Sequence, residues 1–309
     1  MQDIAAPKST GPHRTADRLP DATTDVAQGL KNLREYGVTL HKDFVPQQTV
    51  AALRERLDEQ AYMERKTGVA KLGGPNGLTG LIPSVPGDTS EPIYQGVDGL
   101  VNKGRVFVDL FMNKTAHAYA EGMFGPWPWL LWAQNGIITR RGAVEQFLHT
   151  DAYQLPPPMS TMPSLINVFV CVSDFDLDMG PTGFVPGSHL GPYMKFDGDE
   201  WSPRVPAVAK AGTAIVWEGR TWHGQGEHRS DKTRYSVAMS YCLWAFRSGE
   251  NYPASLHDSV YETLSADELR MLGFRTEMVG TMGAFGPRRP GDPRAPVGGS
   301  GAYVPEMHR

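Results

Sequence analysis

Between Leu130 and Phe246 the chain breaks into short runs rich in Val, Ile, Phe, Tyr and Trp, separated by Gly, Pro and Asp turns. Leu130–Thr139, Glu145–Asp151, Leu165–Ser173, Gly183–Pro186, Thr213–Trp217 and Thr233–Phe246 have the length and the β-branched or aromatic content of strands. Many such runs in series fold as a β-sandwich or barrel. The chain ahead of them has a helical texture. Val26–Tyr36 spaces its apolar residues helically and stops at Gly37. Gln47–Arg65 places Val50, Leu53, Leu57 and Tyr62 at helical spacing among Arg and Glu, and Asn113–Phe124 is a third helix, closed by Gly125-Pro126. Val38–Phe44 alternates as a short strand, and Gly73–Asp88 reads as a Gly/Pro-rich loop. The expectation is a mainly β unit over residues 26–279, with a strand core at about 130–246 and helices from the N-terminal part packed outside it. A loose polar arm is expected at 1–25 and a Gly/Pro-rich tail or lid at 280–309.

Hydrophobic residues make up 40% of the 309, which is enough for one large core. A net charge of -4 offers no electrostatic footprint for nucleic acid. No run approaches the ~18 apolar residues of a membrane span, and Met1–Leu19 has no apolar stretch of the secretory type. A cytoplasmic protein with small-molecule partners is expected. Cys171 and Cys242 lie in apolar, strand-like runs and read as small buried hydrophobes.

Chemistry enters at Phe147-Leu148-His149-Thr150-Asp151. On a strand, residues two apart share a face, so His149 and Asp151 can reach one ion. Trp222-His223-Gly224, just past an apolar strand, supplies the best third ligand. Two imidazoles and one carboxylate form a facial triad with open positions, which suits non-haem Fe(II); a hydrolytic zinc site can use the same set. By itself His-x-Asp is weak, because strand histidines and acids are often plain polar positions. His41, His117, His228, His257 and His308 have no comparable context and read as surface or structural, and His189 as a turn residue. Arg234 opens the last long strand, where its planar fork of donors suits a carboxylate, with Ser236 on the same face. The ordinary fate of such an Arg is a surface ion pair.

These pieces together resemble the phytanoyl-CoA dioxygenase family of Fe(II)/2-oxoglutarate-dependent oxygenases, in particular the branch that hydroxylates secondary metabolites. The matching segments are Gln146–Asp151, Met179–His189, Thr221–His228, Arg234–Cys242 and Glu250-Asn251, in the family's order. The resemblance implies a double-stranded β-helix, the cupin-like jelly roll. It implies Fe(II) on His149, Asp151 and His223, 2-oxoglutarate held by Arg234, and contacts to that co-substrate from Gln146 and Thr182. Strict alternation puts Gln146 on the face opposite His149, so its role requires the strand to bend. Thr150 and Ala152 are neutral where the family often carries a charge, and Gly224-Gln225-Gly226 replaces its run of three glycines.

The implied reaction is hydroxylation, desaturation or rearrangement at an unactivated C–H bond of a small, mostly apolar metabolite. O2 is consumed, and CO2 and succinate are the co-products. A halogenase lacks the carboxylate ligand, so Asp151 argues against one. A non-catalytic jelly-roll binder and a zinc hydrolase stay open as alternatives. Trp127–Trp132, Tyr153 and Pro156–Pro158 are candidate pocket walls. The oligomeric state, a homodimer included, is not decided by the sequence.

Overall fold

Capping chemistry sets the first helices of the computed structural model, which describes residues 14–75, 77, 82–154, 162–191 and 204–274. Helix α1 (Val26–Tyr36) starts where the Asp25 side chain accepts the Ala27 N–H, and it ends at Gly37, whose φ of 75° favours glycine. Strand β1 (Val38–His41) follows, then α2 (Gln47–Thr67), closed by Gly68. Three short strands come next, β2 (Lys71–Gly73), β3 (Ile82–Pro83) and β4 (Tyr94–Val97), then helix α3 (Arg105–Phe111). Asn113 caps α4 (Lys114–Phe124) by accepting the Thr115 and Ala116 N–H groups. The remaining strands are β5 (Trp129–Thr139), β6 (Leu165–Cys171), β7 (Thr182–Phe184), β8 (Val205–Pro206), β9 (Ala214–Glu218), β10 (His223–Gln225) and β11 (Arg234–Leu243). Helices α5 (Tyr252–Ser255), α6 (Asp258–Tyr261) and α7 (Ala266–Met271) complete the described chain.

The protein is mainly β, in two antiparallel sheets. The larger runs β1-β9-β6-β11-β5-β4-β2-β3 and the smaller β10-β7-β8. Alternation divides the large sheet into two chemically different faces. Ile166, Val168, Val170, Val216, Val237, Met239 and Tyr241 point one way and pack with Leu53, Leu57, Phe107, Phe111 and Tyr119 of the helices. Burying each such side chain contributes about 1.5–3 kcal/mol. Asn167, Phe169, Trp217, Arg234, Ala238 and Ser240 point the other way, into a cavity that the small sheet covers. Cys171 and Cys242 are buried free thiols.

Several expectations change. Glu145–Asp151 is not a strand. It makes one isolated antiparallel bridge, His149 to His223, and turns at Asp151 into a single 3-10 turn, Asp151–Gln154. The large sheet also extends beyond the expected 130–246, because β1 pairs with β9 and β4 pairs with β5. β4 went unread because Tyr-Gln-Gly-Val is short and half polar. The Gly73–Asp88 loop carries the edge strand β3. The expected loose arm of residues 1–25 is, over residues 14–25, tied down: Thr15 N–H donates to Pro186 O, Thr23 bridges His41, and Leu19 and Ala22 pack on a core cluster. Residues 1–13 and the 280–309 tail lie outside the described residues.

Gly37 joins this scaffold to the segment that carries His223. Its carbonyl accepts the Thr221 hydroxyl at 2.9 Å, and a Cβ there would lie 2.4 Å from Thr221 Oγ1 and 2.6 Å from His189 Nδ1. Gly37→Ala is therefore expected to cost on the order of 1–3 kcal/mol, read as a lower urea midpoint with an unchanged slope. An unchanged midpoint would show that this corner relaxes freely.

Candidate metal centre and co-substrate pocket

The two histidines are brought together by backbone pairing. His149 N–H donates to His223 O and His223 N–H to His149 O, both at 2.9 Å, and the ring centroids lie 4.4 Å apart. Main-chain carbonyls then fix each ring. His223 Nδ1 sits 2.9 Å from Thr221 O and His149 Nδ1 3.3 Å from Phe147 O. With Nδ1–H donating to those carbonyls, Nε2 of each ring carries the free lone pair that a metal requires. Asp151, at the start of the 3-10 turn, brings its carboxylate beside the two rings, with Oδ2 3.6 Å from His223 Nε2. One ligand atom from each of the three residues lies within 4.8 Å of the others. Burial, then the neighbouring His223, pushes His149 down to about 4, so the imidazole is neutral at neutral pH and able to ligate. Two imidazole nitrogens and one carboxylate oxygen fit a divalent first-row ion.

Arg234 opens the central strand β11 and is fully buried. Burial lowers it to about 10, so it stays charged at neutral pH. Its Nη1 donates to Gly180 O and its Nη2 to Gln225 Oε1 at 2.6 Å. That contact turns the Gln225 amide nitrogen the other way. Both Gln225 Nε2 and Arg234 Nε are buried donors with no partner among the described residues, and both side chains line the cavity that holds the triad. A carboxylate seated there satisfies both donors and the charge. The cavity therefore presents an anion with unsatisfied donors beside the candidate triad.

Gln146 and Thr182 line the same cavity. Gln146 reaches it because its segment is irregular: its N–H donates to Gln225 O at 2.9 Å and its Oε1 accepts Gln225 N–H at 3.1 Å. Ser236 does not line it; its hydroxyl donates to Ile137 O at 3.2 Å. Arg234, Ala238 and Ser240 all face the cavity from β11, and the stretch from Arg234 to Ser240 runs about 20 Å at ~3.3 Å per residue. One end is thus cationic and the other is walled by Trp132, Ala133 and Asn135. The register of β5 against β11 shifts there, with Ala133 opposite Ser240 and Leu131 opposite Tyr241. Trp132 is the extra residue of this bulge, and the bulge turns its ring to the cavity wall.

The rest of the aromatic run divides. Trp129 packs edge-on against Tyr241, and Trp127 is exposed. The side chain of Tyr153 and the Pro156–Pro158 run lie outside the described residues, as does His308. The other histidines stand apart from the metal ligands. His41 bonds the Tyr119 hydroxyl, His117 the Phe111 carbonyl, and His189 sits in the turn after β7 against Arg34 O. His257 caps α6, and His228 is buried rather than on the surface.

Three residues of the site were not read from the sequence. Asn167 and Trp217 both donate to Asp151 Oδ2, and Gln225 steadies Arg234. Asn167 had a usable signal, as the lone polar residue in Leu165–Cys171.

The phytanoyl-CoA dioxygenase family model matches residues 96–236, a span that contains all six predicted site residues. Over that span the chain is similar to the phytanoyl-CoA dioxygenase family. It is 26% identical over 279 residues to the dioxygenase cdmA of Talaromyces verruculosus, covering 85% of this chain and 87% of that one. It is 28% identical over 267 residues to the Fe(II)/2-oxoglutarate-dependent dioxygenase nvfF of Aspergillus novofumigatus, covering 83% and 84%. Among solved structures it resembles the epimerase SnoN in complex with Fe3+, alpha ketoglutarate and nogalamycin RO. That match has a TM-score of 0.56 and 19% identity, over 75% of this chain and 92% of the other. HygX of Streptomyces hygroscopicus, with nickel, 2-oxoglutarate and hygromycin B bound, matches with a TM-score of 0.55 at 14% identity, over 72% and 88%. Both structural matches speak for a shared fold.

Two outcomes follow from this geometry. Asp151→Ala removes the one anionic ligand, so Co(II) affinity measured against a chelator should fall at least ~10-fold; undiminished affinity would place the ion elsewhere. The second concerns Glu250, whose carboxylate accepts the Gln134 N–H and whose own N–H donates to Trp132 O. Burial raises it to about 7. A carboxyl raised on folding contributes stability below its unfolded value of 4.5 and loses it as pH rises through about 7. Wild type should therefore lose melting temperature relative to Glu250→Gln between about pH 5 and 8, and parallel profiles would show that the carboxyl is solvated.

Proposed function

We propose that this chain is an Fe(II)/2-oxoglutarate-dependent dioxygenase that oxidises an unactivated C–H bond of a small, mostly apolar metabolite, by hydroxylation, desaturation or rearrangement. Its scaffold is a double-stranded β-helix whose two walls are the two sheets, within a single oxygenase domain over residues 26–279. His149, Asp151 and His223 hold the iron. Arg234 takes the far carboxylate of 2-oxoglutarate, with Gln146 and Thr182 lining its path. Bound iron, 2-oxoglutarate and O2 together supply the oxidising power, with CO2 and succinate as co-products. The residues of the chain bind, orient and exclude water. Trp132, Phe169 and Ala238 give the substrate end its apolar surface.

One observation carries the reading. A fully buried guanidinium, with an orphaned Nε and an orphaned amide donor beside it, closes the cavity that contains the triad. A zinc hydrolase has no use for a buried carboxylate clamp there, and a passive binder has no use for the open metal set. The relatives named as dioxygenases point the same way.

The test is anaerobic addition of Fe(II) and 2-oxoglutarate, following the visible charge-transfer band, then O2 with a panel of apolar metabolites, following succinate and product mass. A band in wild type and substrate-dependent succinate are expected. Arg234→Ala should weaken 2-oxoglutarate by roughly 2–5 kcal/mol while Fe(II) affinity stays nearly intact. Equal 2-oxoglutarate affinity in the variant would mean that another residue holds the carboxylate, and a chlorinated product in excess chloride would overturn the hydroxylase reading.

A further inference from the structure

Asp151 stands on the least regular backbone of the site, yet its carboxylate is the most restrained. Oδ2 accepts an N–H from Asn167 Nδ2 at 2.8 Å and from the Trp217 indole at 3.1 Å. Both donors are buried, each 6% exposed. The Asn167 carbonyl in turn accepts the Ser240 hydroxyl, which fixes the amide so that its nitrogen faces Asp151. Neighbouring strands β6, β9 and β11 thus converge on one carboxylate oxygen. A carboxylate oxygen has two in-plane lone pairs, and the two N–H groups take both on Oδ2. His223 Nε2, at 3.6 Å from Oδ2, is beyond hydrogen-bond distance. Among the described residues no group bonds Oδ1, which keeps its lone pairs for a ligand.

We propose that Asn167 and Trp217 are positioning residues that hold Asp151 to ligation through Oδ1 alone. This rests on the metal site proposed above. A carboxylate free to turn can chelate an ion with both oxygens, and the second oxygen then takes a position that a facial site must leave open. Tying Oδ2 to the protein prevents that, and it keeps room on the ion for both the keto-acid end of the co-substrate and O2. The choice of residues fits the role. Asn167 interrupts a strand that is otherwise wholly apolar, where leucine, with the same branched heavy-atom skeleton, would offer no N–H. Trp217 already packs against Phe184 and His223, so its indole nitrogen is aimed by its neighbours.

The experiment loads wild type, Asn167→Leu and Trp217→Phe with Mn(II), without 2-oxoglutarate, and counts coordinated waters by EPR line broadening in 17O-enriched water. About three are expected in wild type and about two in each variant. In the Mn(II)-loaded proteins, 2-oxoglutarate affinity should fall roughly 10-fold in the variants, while Mn(II) affinity holds or rises. A scaffold role would lower both affinities together with the melting temperature, and that result overturns the proposal. Equal water counts in wild type and the variants overturn it too. If Asn167→Leu fails to fold, Trp217→Phe, which keeps an aromatic ring in place, decides. Wild type that takes Mn(II) but ignores 2-oxoglutarate would sink the dioxygenase assignment, while the water counts would still judge the clamp on Asp151.

Discussion

Two backbone hydrogen bonds of 2.9 Å, exchanged between His149 and His223, hold the site together. They join a segment with no regular structure to the edge of the small sheet, and they set the two imidazoles side by side before any ion arrives. The neighbouring pairs repeat the pattern. Gln146 N–H reaches Gln225 O, and Ala152 N–H reaches Gly219 O. Side-chain geometry follows from this pairing, because the carbonyls of Phe147 and Thr221 then sit where they can fix each ring. The metal ligands are therefore organised by main chain, which is insensitive to local sequence, and tuned by side chains.

The large sheet sustains two incompatible environments on its two faces. Toward the helices it is a largely apolar layer, broken by Gln95 and Gln134, whose amides bond helix residues. Toward the cavity it carries a guanidinium, an amide, a serine and an indole N–H. Burying Arg234 is costly on its own. Gly180 O and Gln225 Oε1 compensate part of that cost, and the orphaned Nε and the amide nitrogen of Gln225 leave the rest to a bound anion. In the proposed enzyme, strong discrimination for a carboxylate follows, since its absence leaves polar groups unsatisfied.

What the sequence disclosed reflects how local each signal is. Helix α1 was legible to the residue because a cap at each end is a local chemical event. β5, β6, β7, β9 and β11 were legible because buried strands need β-branched and aromatic side chains. β4 and β10 were not, since short segments with Gly and Gln obtain their pairing from partners far along the chain. His149, Asp151 and His223 were found by spacing and by resemblance, although the strand periodicity invoked for the first two does not occur. Backbone pairing with β10 and a 3-10 turn bring them together instead. Asn167 and Trp217 escaped because they act through Asp151, and a contact between strands leaves no trace in spacing.

The bulge at Trp132 has a bearing on how such a chain can diversify. A one-residue change of length within β5 or β11 swaps every side chain between the helix-facing and cavity-facing layers. An insertion near Arg234 would therefore exchange the cation for Tyr235 and send charge into the apolar layer. At Trp132 the ladder already accommodates one unpaired residue. The parity error stops there, at the far end of the cavity, and the cationic end keeps its register. In the proposed enzyme, length variation is tolerated where substrate would be met and forbidden where the co-substrate would bind, so one frame can take up new metabolites without relearning how to hold its oxidant.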